Sequence, residues 1–278
     1  MIDRRYFIIG GMATAMGSAA FGAPPAGGFA SRRIGVVVRG AGPDVILVHG
    51  LDSSRAVWNG TVAAISGYRW HLVQIGGFGG MAAGANASGP IVAPIAAEIA
   101  RYAQWAGLDR PAVIGHSMGG TIALTQAIDQ PQSLGRLMVV DMLPAPAALL
   151  GLDSATGGLF ASLAMSLGGG DAGMIRSLTR TLGGGEDSDD RVTANALREL
   201  AGLDLGPRLP RIATPLTVVY AEPPADVVDP HLVAARYRSA YAAVRGVRQV
   251  GIADSGHMVM LDQPARFATA VRAFLAPA

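Results

Sequence analysis

Ser117 stands in the pattern Gly-x-Ser-x-Gly, with Gly115 two residues before it and Gly119 two residues after. A serine hydroxyl is a weak nucleophile at neutral pH and needs a base beside it. An apolar run at 112–114 leads into the pattern, and helical sequence at 121–128 leads out. Strand, tight turn and helix is the context that raises such a serine to the apex of a turn, whereas the five-residue pattern alone arises by chance. Gly115 and Gly119 lack a Cβ, so the backbone can bend sharply and strand and helix can approach closely. Ser117 then also lies at a helix N-terminus, where free N–H groups and the macrodipole favour developing negative charge.

The base must come from elsewhere in the chain. His257 follows an apolar run at 247–252 and is preceded by Asp254, Ser255 and Gly256, which puts it on a loop at the carboxyl end of a strand. His71 falls within a strand, His116 within the turn around Ser117, and His231 in or beside a helix. His49 closes the apolar run 45–48 and is read as a brace for its loop through hydrogen bonds, not as a base. That loop offers main-chain donors to an oxyanion. Its candidate is Leu51 N–H, paired with Met118 N–H after the nucleophile.

The elements that position these groups are legible from hydrophobic patterning. Apolar runs at 34–38, 45–48, 70–75, 137–140, 216–220 and 247–252 read as strands, the first two split by a Gly- and Pro-rich turn at 40–44. Ile91, Ile95, Ile99 and Tyr102 recur at helical spacing, so a helix is expected there, ending near Gly107. Strands alternating with helices imply a parallel sheet with its site at the carboxyl ends. The glycine cluster 76–80 has neither the P-loop lysine nor dinucleotide-binding spacing, so it reads as a mobile rim loop from which Phe78 could line a substrate pocket.

Residues 144–208 interrupt the strand pattern. Short apolar helices separated by glycine triplets are expected there, forming a cap over the site. Phe160 and Met165 in the cap, with Met258 next to His257, are candidates for an adaptable apolar pocket. Glu186 to Asp190 is acidic and reads as a solvated loop or the start of the next helix. No ligand spacing turns these carboxylates into a metal site, so no metal and no cofactor is expected.

The chain has 278 residues, long enough for one domain with an insertion. Its 22 basic and 20 acidic side chains leave a net charge of +2 with no basic run, which argues against a nucleic-acid partner. No cysteine is present, which excludes disulfides, thiolate metal sites and a cysteine nucleophile. At the N-terminus, Arg4 and Arg5 stand directly before a weakly apolar stretch with no charge from Tyr6 through Ser31. The segment 1–28 resembles a twin-arginine export signal with small-residue cleavage sites. That resemblance implies contact with the export machinery, a mature chain beginning near residues 21–27, no stable membrane span after cleavage, and a periplasmic or secreted location. An uncleaved membrane anchor is one alternative, since the uncharged length is near that of a span, and an ordinary Sec signal that carries two arginines is another.

Taken together, His49 and Gly50, the run from Gly115 to Gly120, and Ser255, Gly256 and His257 before Asp262 and Pro264 resemble an α/β-hydrolase-fold serine hydrolase of the esterase or lipase kind. The resemblance spans about residues 34–278. It implies a mostly parallel central sheet flanked by helices, with 29–143 and 209–278 as core and 144–208 as a helical cap. It also implies a catalytic triad in the order Ser117, acid, His257. The family usually places the acid soon after the strand at 216–220, which makes Asp226 the first choice, although Glu222, Pro223 and Pro224 depart from the usual pattern. Asp141, at the end of the preceding strand, is the runner-up because some members carry the acid there, and Asp229 is third. The implied reaction is cleavage of a carboxylic ester, thioester or lactone of a small to medium hydrophobic molecule through an acyl-serine. The alternative is a non-hydrolytic member of the fold, binding a ligand or resembling the cofactor-free haloperoxidases.

Overall fold

The structure is a computed structural model and describes residues 28–149 and 187–277. Its centre is a seven-stranded sheet: β1 (Ile34–Gly40), β2 (Asp44–Val48), β3 (Arg69–Ile75), β4 (Ala112–His116), β5 (Arg136–Val140), β6 (Leu216–Glu222) and β7 (Arg248–Ala253). The spatial order is β1-β3-β2-β4-β5-β6-β7. All pairings are parallel except β1 with β3. The short turn after β1 does not make a hairpin with β2, because β3 lies between them.

The helices are α1 (Asn59–Ala64), α2 (Val92–Trp105), α3 (Met118–Asp129), α4 (Pro146–Leu149), α5 (Asp190–Gly202), α6 (Pro230–Ala240), α7 (Val259–Asp262) and α8 (Pro264–Leu275). Alternate residues of the inner strands feed two separate cores, as the two-residue period of a strand requires. In β2, Ile46 and Val48 join Ile95, Ile99 and Ile122 of α2 and α3 on one face. Val45 and Leu47 join Trp58, Phe267 and Val271 on the other, where α8 lies. Burial on both faces makes the central strands near-continuous apolar runs, which is why they were readable from sequence. Among the described residues, no helix is long and apolar enough to cross a membrane.

Parallel strands share one direction, so their carboxyl ends and the loops that follow gather along one edge of the sheet. Ser117 follows β4, Asp141 follows β5 and His257 follows β7 at that edge.

Candidate active site

The turn at Ser117 is abrupt. β4 stops at His116 and α3 starts at Met118, leaving a single residue between them. Ser117 takes φ 53° and ψ −124°, a region that costs a non-glycine residue about 1–3 kcal/mol and collects at functional sites. The flanking glycines are required by contact. A Cβ on Gly115 would lie 2.2 Å from the Gly119 carbonyl oxygen, and one on Gly119 would lie 2.3 Å from that of Val48. The apex is stitched to the sheet by Ser117 N–H, which donates to the Val140 carbonyl at 2.9 Å.

His257 donates from Nδ1 to Asp141 Oδ2 at 2.8 Å. Asp141 sits one residue beyond β5, 5% exposed, with its backbone also at a positive φ of 48°. Its other oxygen, Oδ1, accepts from Ala221 N–H and from the Tyr237 hydroxyl, each at 2.9 Å. Burial pushes this carboxyl up, but the bonds from His257, Ala221 and Tyr237 outweigh it and hold the group below the usual carboxylate range. Asp141 is therefore an anion that accepts three hydrogen bonds.

This geometry corrects the expected acid. Asp226 is exposed in the loop between β6 and α6, and Asp229 caps α6 by accepting from His231 N–H at 2.8 Å. β6 runs on to Glu222, and Pro223 and Pro224 then turn the chain into that exposed loop. Asp141 lies on the adjacent strand and reaches His257 directly.

His116 ties the two halves together. It precedes Ser117 in the chain, and its Nε2–H donates to the His257 carbonyl at 2.9 Å, with the rings 4.7 Å apart. Burial first, then the neighbouring His257, pushes its pKa down to about 3, so it is a neutral strut. His49 is also structural. Its Nδ1–H donates to the Gly50 carbonyl at 2.8 Å, and Nε2 accepts from Ile75 N–H at 3.0 Å. Burial pushes it down to about 4. His71 lies far from Ser117 along its strand, bonded to Asp44 and Tyr102.

Gly50 brings its main chain against the nucleophile. A Cβ there would stand 3.0 Å from both Ser117 Cβ and His116 Nδ1. Leu51 follows at once and packs against Ala194 and Leu197 of α5. Met118, as the first residue of α3, has no carbonyl one helical turn before it within the helix.

α5 is the described end of the expected cap, and it is fastened to the rim. The Thr193 hydroxyl donates to Asp52 Oδ1 at 2.7 Å. The Glu199 carboxylate accepts from Ile91 and Val92 N–H, capping α2. The acidic stretch contributes Asp189, which caps α5 by accepting from Arg191 and Val192 N–H. The glycine cluster is not a free rim loop. Asp189 N–H donates to the Gly77 carbonyl at 2.7 Å and Gly80 N–H to that of Asp187 at 2.8 Å. A Cβ on Gly77 would lie 2.7 Å from the Val192 side chain. Phe78 is correspondingly no pocket wall: it is fully buried in the core, edge-on to His49. Met258 is half-buried next to His257 and packs on the second core. Phe160 and Met165 lie outside the described residues.

Sequence reading missed Tyr237. Tyr241 follows one turn on, capping the end of the same helix, and residue type alone gives no reason to prefer either as the partner of an acid.

A family model described as alpha/beta hydrolase family matches residues 45–270. The chain belongs to the alpha/beta hydrolase family, and its sheet and flanking helices are that fold. It is similar to a pimeloyl-[acyl-carrier protein] methyl ester esterase of Aeromonas hydrophila, 34% identical over 113 residues, which are 38% of this chain and 40% of that protein. The match thus spans about two-fifths of that relative. Among solved structures, an esterase from Exiguobacterium antarcticum superposes with a TM-score of 0.67 at 19% identity, covering 87% of this chain and 94% of that one. A hydrolase from Pseudomonas aeruginosa superposes with a TM-score of 0.66 at 19% identity, covering 88% and 94%.

Proposed function

We propose that the protein is a serine hydrolase that cleaves a carboxylic ester of a small to medium hydrophobic molecule. The observation that carries this reading is the bond from His257 Nδ1 to the buried Asp141, at the same sheet edge as the strained turn of Ser117. A carboxylate on Nδ1 fixes the tautomer that leaves Nε2 as the basic nitrogen. His257 Nε2 takes the proton of Ser117 Oγ as that oxygen attacks the ester carbonyl. The tetrahedral oxyanion is held by Leu51 and Met118 N–H, each donor worth a few kcal/mol. His257 then returns the proton to the leaving alcohol, and water, activated by the same imidazole, releases the acid from acyl-Ser117. The esterase name carried by the Aeromonas hydrophila relative favours an ester over other acyl groups.

Residues 144–208 are assigned as the cap over this site, with the substrate-facing wall drawn from them. Residues 1–28 are assigned as an export signal, so that the working protein is periplasmic or secreted. Sequencing the N-terminus of protein from a periplasmic fraction tests that assignment, and an intact Met1 on cytosolic protein would remove it.

The reaction is tested with p-nitrophenyl esters of graded chain length and with a fluorophosphonate label. A burst of nitrophenol and covalent labelling are expected, both lost in Ser117→Ala. Turnover in Ser117→Ala equal to that of the native protein would overturn the assignment.

A further inference from the structure

Orienting one imidazole takes one carboxylate oxygen, yet Asp141 receives two further donors. Ala221 N–H and the Tyr237 hydroxyl converge on Oδ1, leaving Oδ2 to His257. The main-chain donor comes with β6. The phenol is an addition from α6, and it is fixed from several sides. Tyr237 is 2% exposed. Its ring stacks on Tyr220 of β6, with centroids 4.5 Å apart and planes 15° from parallel. Its carbonyl accepts from Gln249 Nε2 of β7 at 3.2 Å. A single hydroxyl is thus aimed at the acid by three elements of the sheet's outer half.

We propose that Tyr237 is a positioning residue of the site, whose hydroxyl pins Asp141 Oδ1, keeps Oδ2 directed at His257, and so sets the basicity of that imidazole. The proposal rests on the reading of His257 as the base. The titratable groups around the Asp141 and His257 pair are Tyr237 of α6, Tyr241 at its C-terminal cap and His116 at the end of β4, with Arg236 next to Tyr237. Burial and the Asp141 charge push the Tyr237 phenol well above its ordinary value, so it is a donor throughout the working range. A donor on a carboxylate draws charge from it. Less charge then faces the imidazolium.

Tyr237→Phe removes this donor and little else. Tyr241→Phe removes an equally buried hydroxyl from the cap of the same helix, one that donates to the Met142 carbonyl at 2.7 Å. The His257 imidazole is titrated by NMR in each protein without substrate, and kcat and KM are measured with a p-nitrophenyl ester. In Tyr237→Phe, the His257 midpoint should rise by about half a pH unit or more, and kcat should fall about tenfold with KM within about twofold, as loss of a hydrogen bond to a charged group implies. Tyr241→Phe should lose comparable thermal stability and leave the midpoint in place. Site-specific 3-fluorotyrosine at 237, a stronger donor of nearly the same size, should move the midpoint down, and it covers a failure of the phenylalanine variant to fold. An unmoved midpoint in both 237 variants, or an equal move in Tyr241→Phe, overturns the proposal. The titration reads His257 without turnover, so this outcome is separate from whether Ser117 is acylated.

Discussion

Asp141 and His257 meet at 2.8 Å although 116 positions separate them in the chain. The meeting follows from topology. β5 and β7 flank β6 in a parallel sheet, so their carboxyl ends point the same way, about two strand spacings apart. An aspartate on one and a loop histidine on the other bridge that gap across the end of β6. Asp141 needs no loop of its own and borrows the rigidity of a central strand, which is the more precise place to hold a side chain.

Replacing each candidate acid separates them. Asp141→Asn should keep the fold's shape and lower kcat by about 10³–10⁴, because the amide favours the wrong imidazole tautomer. Asp226→Asn removes an exposed charge and should change kcat less than about twofold. A larger loss in the second variant than in the first would return the acid to the loop after β6.

The bond between Thr193 and Asp52 makes a different prediction. Both side chains are buried, at 1% and 4% exposure, and the bond ties α5 to the turn that carries Leu51. Thr193→Val keeps the shape and removes the donor. Loss of a hydrogen bond to a buried charged group costs about 1.5–3 kcal/mol, readable as a lower urea midpoint. Because Leu51 lies next to Asp52, kcat should fall severalfold as well. A variant that loses stability at unchanged kcat would show that the tether supports the fold and not the oxyanion donors.

What was legible in the sequence and what was not divides along physical lines. Ser117 and His257 stood out because each follows an apolar strand and has glycine within two positions, a pattern written in neighbouring residues. The strands themselves were plain because burial on both faces makes them near-continuous apolar runs. Which aspartate meets His257 was not legible because Asp141 and Asp226 both follow strands, and the difference between them depends on where Pro223 and Pro224 send the chain. Phe78 was misread for a related reason: glycines around it suggested freedom, whereas Gly77 is bare so that Val192 of a distant helix can fit against it. Tyr237 had no signal at all. Its role is a hydrogen bond from a helix surface to an acid 96 residues away, and no local pattern encodes that.

The buried imidazoles set how the protein responds to acid. His49 is held neutral down to about 4 and His116 down to about 3, in both cases chiefly by burial. His71 is also lowered, with burial the largest cause and its bond to Asp44 opposing. In the unfolded chain each would take a proton near its ordinary value of about 6.5. Between that value and the folded one, the unfolded state binds more protons, so stability is complete above about pH 6.5 and declines as pH falls. Each such proton is worth about 1.4 kcal/mol per pH unit. His49 and His116 together should therefore remove roughly 2 kcal/mol between pH 6 and pH 5, a sizeable share of the 5–15 kcal/mol typical of a domain. The lowered Asp44 and Asp141 carboxyls act further down, stabilising above about pH 4 and losing that contribution as they are protonated. Urea unfolding at pH 7.5, 6 and 5 should show a midpoint that falls over the first step and more steeply per pH unit across the last. A flat midpoint to pH 5 would mean that these imidazoles accept protons in place, and His116 could not then be the neutral strut that carries the His257 backbone.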